Sequence, residues 1–94
     1  MKNKAFEINF TPGFNNGFHM TFENGCTISV QFGMGNYCDQ GQTTAEVAAW
    51  NFIGDWMVWN GVSWHTLTDG TSDVMSHVRP DEVARMISEL VKQK

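Results

Sequence analysis

Residues 18–38 read FHMTFENGCTISVQFGMGNYC. Phe18, Met20 and Phe22 alternate with His19, Thr21 and Glu23. Beyond a turn, Cys26, Ile28, Val30 and Phe32 alternate with Thr27, Ser29 and Gln31. Alternation with a period of two on both arms predicts an antiparallel hairpin with one buried face. The turn Glu23-Asn24-Gly25 sets the register. A two-residue Asn-Gly loop would place the two apolar sets on opposite sides of the hairpin. A three-residue loop sets Phe22 against Cys26 and gathers both sets on one face. The three-residue loop is expected, with Gly25 as a left-handed bulge residue, because a one-residue slip would expose every large side chain.

Upstream, Phe6, Ile8 and Phe10 alternate with Glu7 and Asn9, which predicts a strand over about residues 5–10, broken by Thr11-Pro12-Gly13. Downstream, residues 46–51 (EVAAWN) read as a strand, although Ala lowers strand propensity and a short helix competes. Phe52-Ile53-Gly54-Asp55 is a turn, and Trp56-Met57-Val58-Trp59 completes a second hairpin that Asn60-Gly61 closes. Large apolar residues on both sides of 56–59 predict a central strand or one lying on a partner. Residues 62–64 extend the sheet, and 66–77 read as an irregular connection, long enough to be functional or to conceal a short element. Near the end, Pro80 suits a first helical turn, with Asp81 and Glu82 at its positive end and Lys92 and Lys94 at its negative end. Val83, Met86, Ile87, Leu90 and Val91 recur at helical spacing, so an amphipathic helix over about residues 80–93 is expected. The fold class is α+β: an antiparallel β-sheet of four to six strands built from hairpins, with one C-terminal helix on one face.

At 94 residues, with 41% hydrophobic and 17% charged residues, the chain forms one domain, 1–94, with one modest core. The net charge of −4 comes without a basic stripe, which argues against direct binding to a nucleic-acid backbone. No apolar run approaches the ~20 residues that span a membrane. The start, MKNKAFEINF, is basic but lacks the apolar stretch of a secretory signal, so a cytoplasmic chain is expected. Two cysteines make no disulfide framework. Cys26 belongs to the apolar face of its strand, and a bridge to Cys38 is disfavoured in a reducing compartment.

Several groupings are candidates for chemistry. In the loop 33–39, GMGNYCD, Asn36 and Tyr37 have the donors, acceptors and ring to grip a base or polar metabolite. The stronger reading is a bulged turn in which Asn36 takes a positive φ and Tyr37 closes the core edge. Cys38 as a nucleophile would need a base, with His19 or Glu46 the nearest options. Asp39 beside it would raise its pKa, so a packing role is expected. His65, Asp69, Asp73 and His77 recur every fourth residue, but Asp69-Gly70 would break the helix that could align them, so no metal or cofactor is expected. Trp50, Trp56, Trp59 and Trp64 cluster within fifteen residues; two of the four suffice for the core, and Trp59 and Trp64 are expected at the surface. Glu46 is the only carboxylate in an otherwise apolar strand, either a ligand contact or a solvent-facing residue. Arg79 and Arg85, near the helix start, suit a neighbouring subunit's pocket.

The words NG-(x)-TISVQFG-x-GNYC and AE-V-A-W, with a closing Pro-Asp-Glu-Val helix, resemble those of a group of small uncharacterised proteins encoded by bacteriophages. The resemblance covers about residues 17–50 and the C-terminal helix, more than half of the chain. It implies shared positions at Asn36, Tyr37, Cys38, Glu46 and Trp50, and a location in the host bacterial cytoplasm. Residues 52–79 have no counterpart in it. The functional expectation is a non-enzymatic accessory protein, a counter-defence or host-modulating binding protein. It would act on a host protein through the second hairpin or on a small nucleotide signal, as a homo-oligomer, with Trp59, Trp64 and Arg79 as further contacts. The alternatives are a small virion or assembly protein and, behind it, a Cys-dependent enzyme.

Overall fold

The structure, a computed structural model, describes residues 9–12, 17–31 and 45–93. Among the described residues, seven strands and one helix follow in chain order: β1 (Asn9–Pro12), β2 (Gly17–Thr21), β3 (Thr27–Gln31), β4 (Ala45–Trp50), β5 (Trp56–Trp59), β6 (Trp64–Thr66), β7 (Met75–Val78) and α1 (Pro80–Val91). Strands β1 to β6 lie side by side in sequence order, every pair antiparallel, and β7 leaves this path to pair with β4. The α+β architecture with a C-terminal helix is the one expected.

The β2–β3 hairpin has the expected register. Thr21 opposes Thr27, and Met20 opposes Ile28. The Phe22 N–H donates to Cys26 O at 2.9 Å and the Gly25 N–H to Phe22 O at 2.8 Å, leaving a three-residue loop. Gly25 has φ 88°, the left-handed conformation that this loop demands. Residues opposite one another in an antiparallel sheet share a face. The row Met20–Ile28–Ala49–Met57 therefore lies on one face, together with Phe18–Val30–Val47–Met75. Ile28, Val47, Ala49 and Met57 are buried there against Met86 and Leu90 of α1.

Strand β4 is the hub. Its β3 side pairs along Glu46–Trp50, while its other side divides between β7, through Ala45 and Val47, and β5, through Ala49 and Trp50. Small residues at Ala48 and Ala49 suit this crowding, and tertiary packing overrides the low strand propensity of alanine.

Four expectations need correcting. The first strand does not stop before Thr11. Pro12 pairs with Phe18, which is tolerated because β1 lies at the sheet edge in this order; the rest of the expected strand, 5–8, lies outside the described residues. The connection 66–77 conceals β7, whose three-residue step from Met75 to Val78 matches a two-residue step on β4. The extra residue makes a bulge, and His77 takes φ 58° within it. Such a strand has no clean alternation for a sequence reading to detect. The sheet extension begins at Trp64, not at Val62, which is exposed in the turn. Finally, Trp64 is not at the surface. It is 4% exposed, and its indole N–H donates to Met86 O at 2.9 Å.

The helix starts as expected, with Pro80 at its first position and Asp81 and Glu82 in its first turn. It ends at Val91, and Lys92 is its C-cap. Met86 and Leu90 are fully buried and Val83 and Ile87 pack at the core margin, but Val91 is half exposed. Among the described residues, no helix is long and apolar enough to cross a membrane.

One glycine is set by space and not by φ. A Cβ on Gly17 would lie 2.4 Å from Val30 O, a backbone atom that cannot step aside. Gly17→Ala is expected to cost about 1–3 kcal/mol of stability, as overpacking does. A urea titration of the variant checks this.

Candidate binding surfaces

The helix covers one face of the sheet. On the other, three rows cross the strands: Gly17–Gln31–Glu46, His19–Ser29–Ala48, and Thr21–Thr27–Trp50–Trp56. Thr21 and Thr27 share a hydroxyl hydrogen bond of 3.0 Å. The His19 ring meets Trp50 edge-on at 5.3 Å, and Trp50 lies 5.6 Å from Trp56. An aromatic path thus runs from β2 to β5 across the helix-free face.

This path leads to the β4–β5 turn. Asn51 organises it: Oδ1 accepts from the Ile53 N–H at 3.2 Å and the Asp55 N–H at 2.9 Å, while the backbone closes through Gly54 N–H to Asn51 O at 3.0 Å. An asparagine that holds its own following backbone makes a compact turn. The tip presents Phe52 at 62% and Ile53 at 66% exposure. Two adjacent large apolar residues on an ordered tip, next to two half-buried tryptophans, form a continuous apolar surface of the kind that marks interaction sites.

A second concavity lies at the start of α1, a groove of about 470 Å³ lined in part by Trp59, Met75, His77, Arg79, Glu82 and Arg85. The Trp59 indole N–H donates to Glu82 Oε2 at 2.6 Å, and Arg85 pairs with the other oxygen of the same carboxylate. Arg79 is the helix N-cap residue, is exposed, and makes no side-chain cap bond. Asp81 and Glu82 balance Arg79 and Arg85 in this lining, so no strong positive field develops there.

The structure separates the sequence candidates. Glu46 and Trp50 share the helix-free face, at opposite ends of β4. Trp59 and Arg79 meet at the groove, with Trp59 half-buried and not free at the surface as expected. Trp64 is core. Asn36, Tyr37 and Cys38 lie outside the described residues. His65 falls on β6, Asp69 in a turn, Asp73 in the irregular stretch after it and His77 on β7, so no helix aligns them. Among the described residues, no three His, Cys, Asp or Glu side chains come together to hold a metal ion. Burial pushes the Cys26 thiol up, away from the thiolate that a nucleophile needs. Sequence reasoning treated Phe52 and Ile53 only as turn residues. Their signal was two large apolar residues in a turn, where polar and small residues are usual. Compared with known protein families, with curated proteins and with solved structures, the chain matches none of them.

Proposed function

We propose that this is a non-enzymatic binding protein of bacteriophage origin, acting in the host cytoplasm on a host protein as a counter-defence or host-modulating factor. The observation that carries the binding reading is the ordered tip with Phe52 and Ile53 exposed beside Trp50 and Trp56. Burying this surface on a partner would remove large apolar area from water, the usual source of affinity at an interface centre. The phage origin rests on the sequence resemblance alone. The nucleotide-signal alternative would use the groove at Arg79 and is less favoured, because a polyanion gains little where acidic and basic side chains balance. Self-association through the same exposed apolar surface belongs to this proposal as well.

The test places a photo-crosslinking phenylalanine analogue at position 52 and, separately, at position 91, where Val91 is also exposed. After irradiation in bacterial cells, a discrete adduct at position 52 and none at 91 is the expected result. Equal adducts at both positions, or none at 52, would remove the hairpin tip as the interface.

A further inference from the structure

We propose that Asn60 is a self-modification site: the turn that follows it is built to convert Asn60 to aspartate or isoaspartate by its own chemistry. Unlike the binding surface, this inference rests on three groups surrounding one amide. Asn60 Oδ1 accepts hydrogen bonds from the Val62 N–H and the Ser63 N–H, both at 2.8 Å. Asn60 Nδ2 lies 2.9 Å from His65 Nε2. Gly61 follows with φ 98° and no Cβ, and its N–H has no partner among the described residues.

Each contact has a role in amide cleavage. The two N–H groups on Oδ1 polarise the amide and stabilise the oxyanion that forms when its carbonyl is attacked. The nucleophile is the Gly61 nitrogen, and the Oδ1 bond to Val62 folds the side chain over that peptide unit. Asn60 Nδ2–H donates to His65 Nε2, so the unprotonated ring nitrogen stands beside the leaving nitrogen, placed to relay a proton to it. The steps balance without an oxidant or reductant. Gly61 N gives its proton through water to His65 Nε2 and bonds to Asn60 Cγ, and the carbonyl electron pair moves onto Oδ1. The tetrahedral centre then collapses. The Cγ–Nδ2 bond breaks as His65 Nε2 hands its proton to Nδ2, and ammonia leaves a five-membered succinimide. Water opens the ring, so the net change is one amide and one water to one carboxylic acid and one ammonia. The new carboxylate stands in a turn whose Gly61 and Val62 line a small cavity with Trp59 and Arg85.

Asn24-Gly25 provides an internal contrast. The Gly25 N–H is committed to Phe22 O at 2.8 Å. Asn24 Nδ2 donates to backbone carbonyls of the helix end, and no acid contacts it. The same dipeptide is thus locked in one turn and primed in the other.

The experiment incubates the full chain at neutral pH, folded and in urea, and follows Asn24 and Asn60 separately by peptide mapping that distinguishes isoaspartate. In the folded chain, Asn60 is expected to react faster than in urea and Asn24 more slowly. His65→Ala should slow the folded-state reaction at Asn60 by at least about tenfold, the lower side of what a positioned acid contributes, and leave the rate in urea unchanged. Folding of that variant is checked by its melting temperature. The comparison within the wild-type chain stands whatever the variant does. Slower reaction at Asn60 in the folded chain than in urea, or no effect of His65→Ala in a folded variant, would overturn the proposal.

Discussion

Asn24→Asp is expected to destabilise the protein more than Asn24→Ala, although it changes the side chain by little more than one atom. The amide of Asn24 joins the hairpin turn to the far end of the chain. Its Nδ2 donates to Leu90 O at 2.9 Å, Val91 O at 3.2 Å and Gln93 O at 2.8 Å, while Oδ1 accepts from the Cys26 N–H at 2.9 Å. The carbonyls at a helix C-terminus have no partner within the helix and carry the negative end of its dipole. Alanine removes the donor and leaves these groups short of a partner, at about 1–3 kcal/mol. Aspartate keeps the bond to Cys26 but turns a negative charge toward the carbonyls, so repulsion adds to the lost bonds. The extra penalty depends on pH. The introduced carboxyl is harder to ionise in the folded than in the unfolded chain, so its folded pKa is raised. Its penalty is therefore absent below the unfolded carboxylate value of about 4 and develops as pH rises through that value. Urea titrations of both variants at acid and neutral pH measure this. In acid Asn24→Asp should be at least as stable as Asn24→Ala, and at neutrality less stable.

The second large effect lies on the helix face that meets the sheet. Met86 and Leu90 are fully buried against Ile28, Val47 and Met57. Truncating either to alanine should cost about 2–5 kcal/mol, the transfer term plus the cavity left behind. Against a typical stability of about 5–15 kcal/mol, this approaches the whole for a small domain. Met86 carries a second burden, because its carbonyl accepts the buried Trp64 indole N–H at 2.9 Å, and a helix that shifts to fill a cavity strains this bond. Val91→Ala, one residue beyond Leu90 but half exposed, should stay within about 0.5 kcal/mol of wild type. Equilibrium denaturation of the three variants side by side distinguishes the buried positions from the exposed one.

The legible parts of the chain were those where one periodicity governs. In residues 18–30 the alternation, the Asn-Gly turn and the need to bury Phe22 beside Cys26 all require the same register, so the hairpin and the left-handed Gly25 could be read directly. The helix was legible from Pro80, its acidic first turn and its apolar stripe, although Val91 sits beyond the reach of the sheet. What stayed hidden depends on contacts distant in sequence. Nothing local to Asn24 indicates that its amide reaches Leu90. Strand β7 is four residues long and bulged at His77, and its pairing with β4 decides its existence more than its own pattern does. Trp64 was expected outside because it neighbours a turn, yet the helix supplies both its cover and its acceptor. At the binding surface, Trp50 was legible as an aromatic on a strand. Phe52 and Ile53 were not, because a turn reading gives no account of which side chains the turn presents.

The measurement that tests the central claim most directly compares Phe52→Ser/Ile53→Ser with wild type for both melting temperature and partner crosslinking, with the photoreactive residue moved to position 56. Both side chains are more than half exposed. The predicted result is a melting temperature close to wild type, since changes at such surface sites stay within about 0.5 kcal/mol, together with loss of the crosslinked adduct. A fall in melting temperature comparable to that of Leu90→Ala, or an adduct that persists undiminished, would contradict the reading of this tip as a surface reserved for a partner.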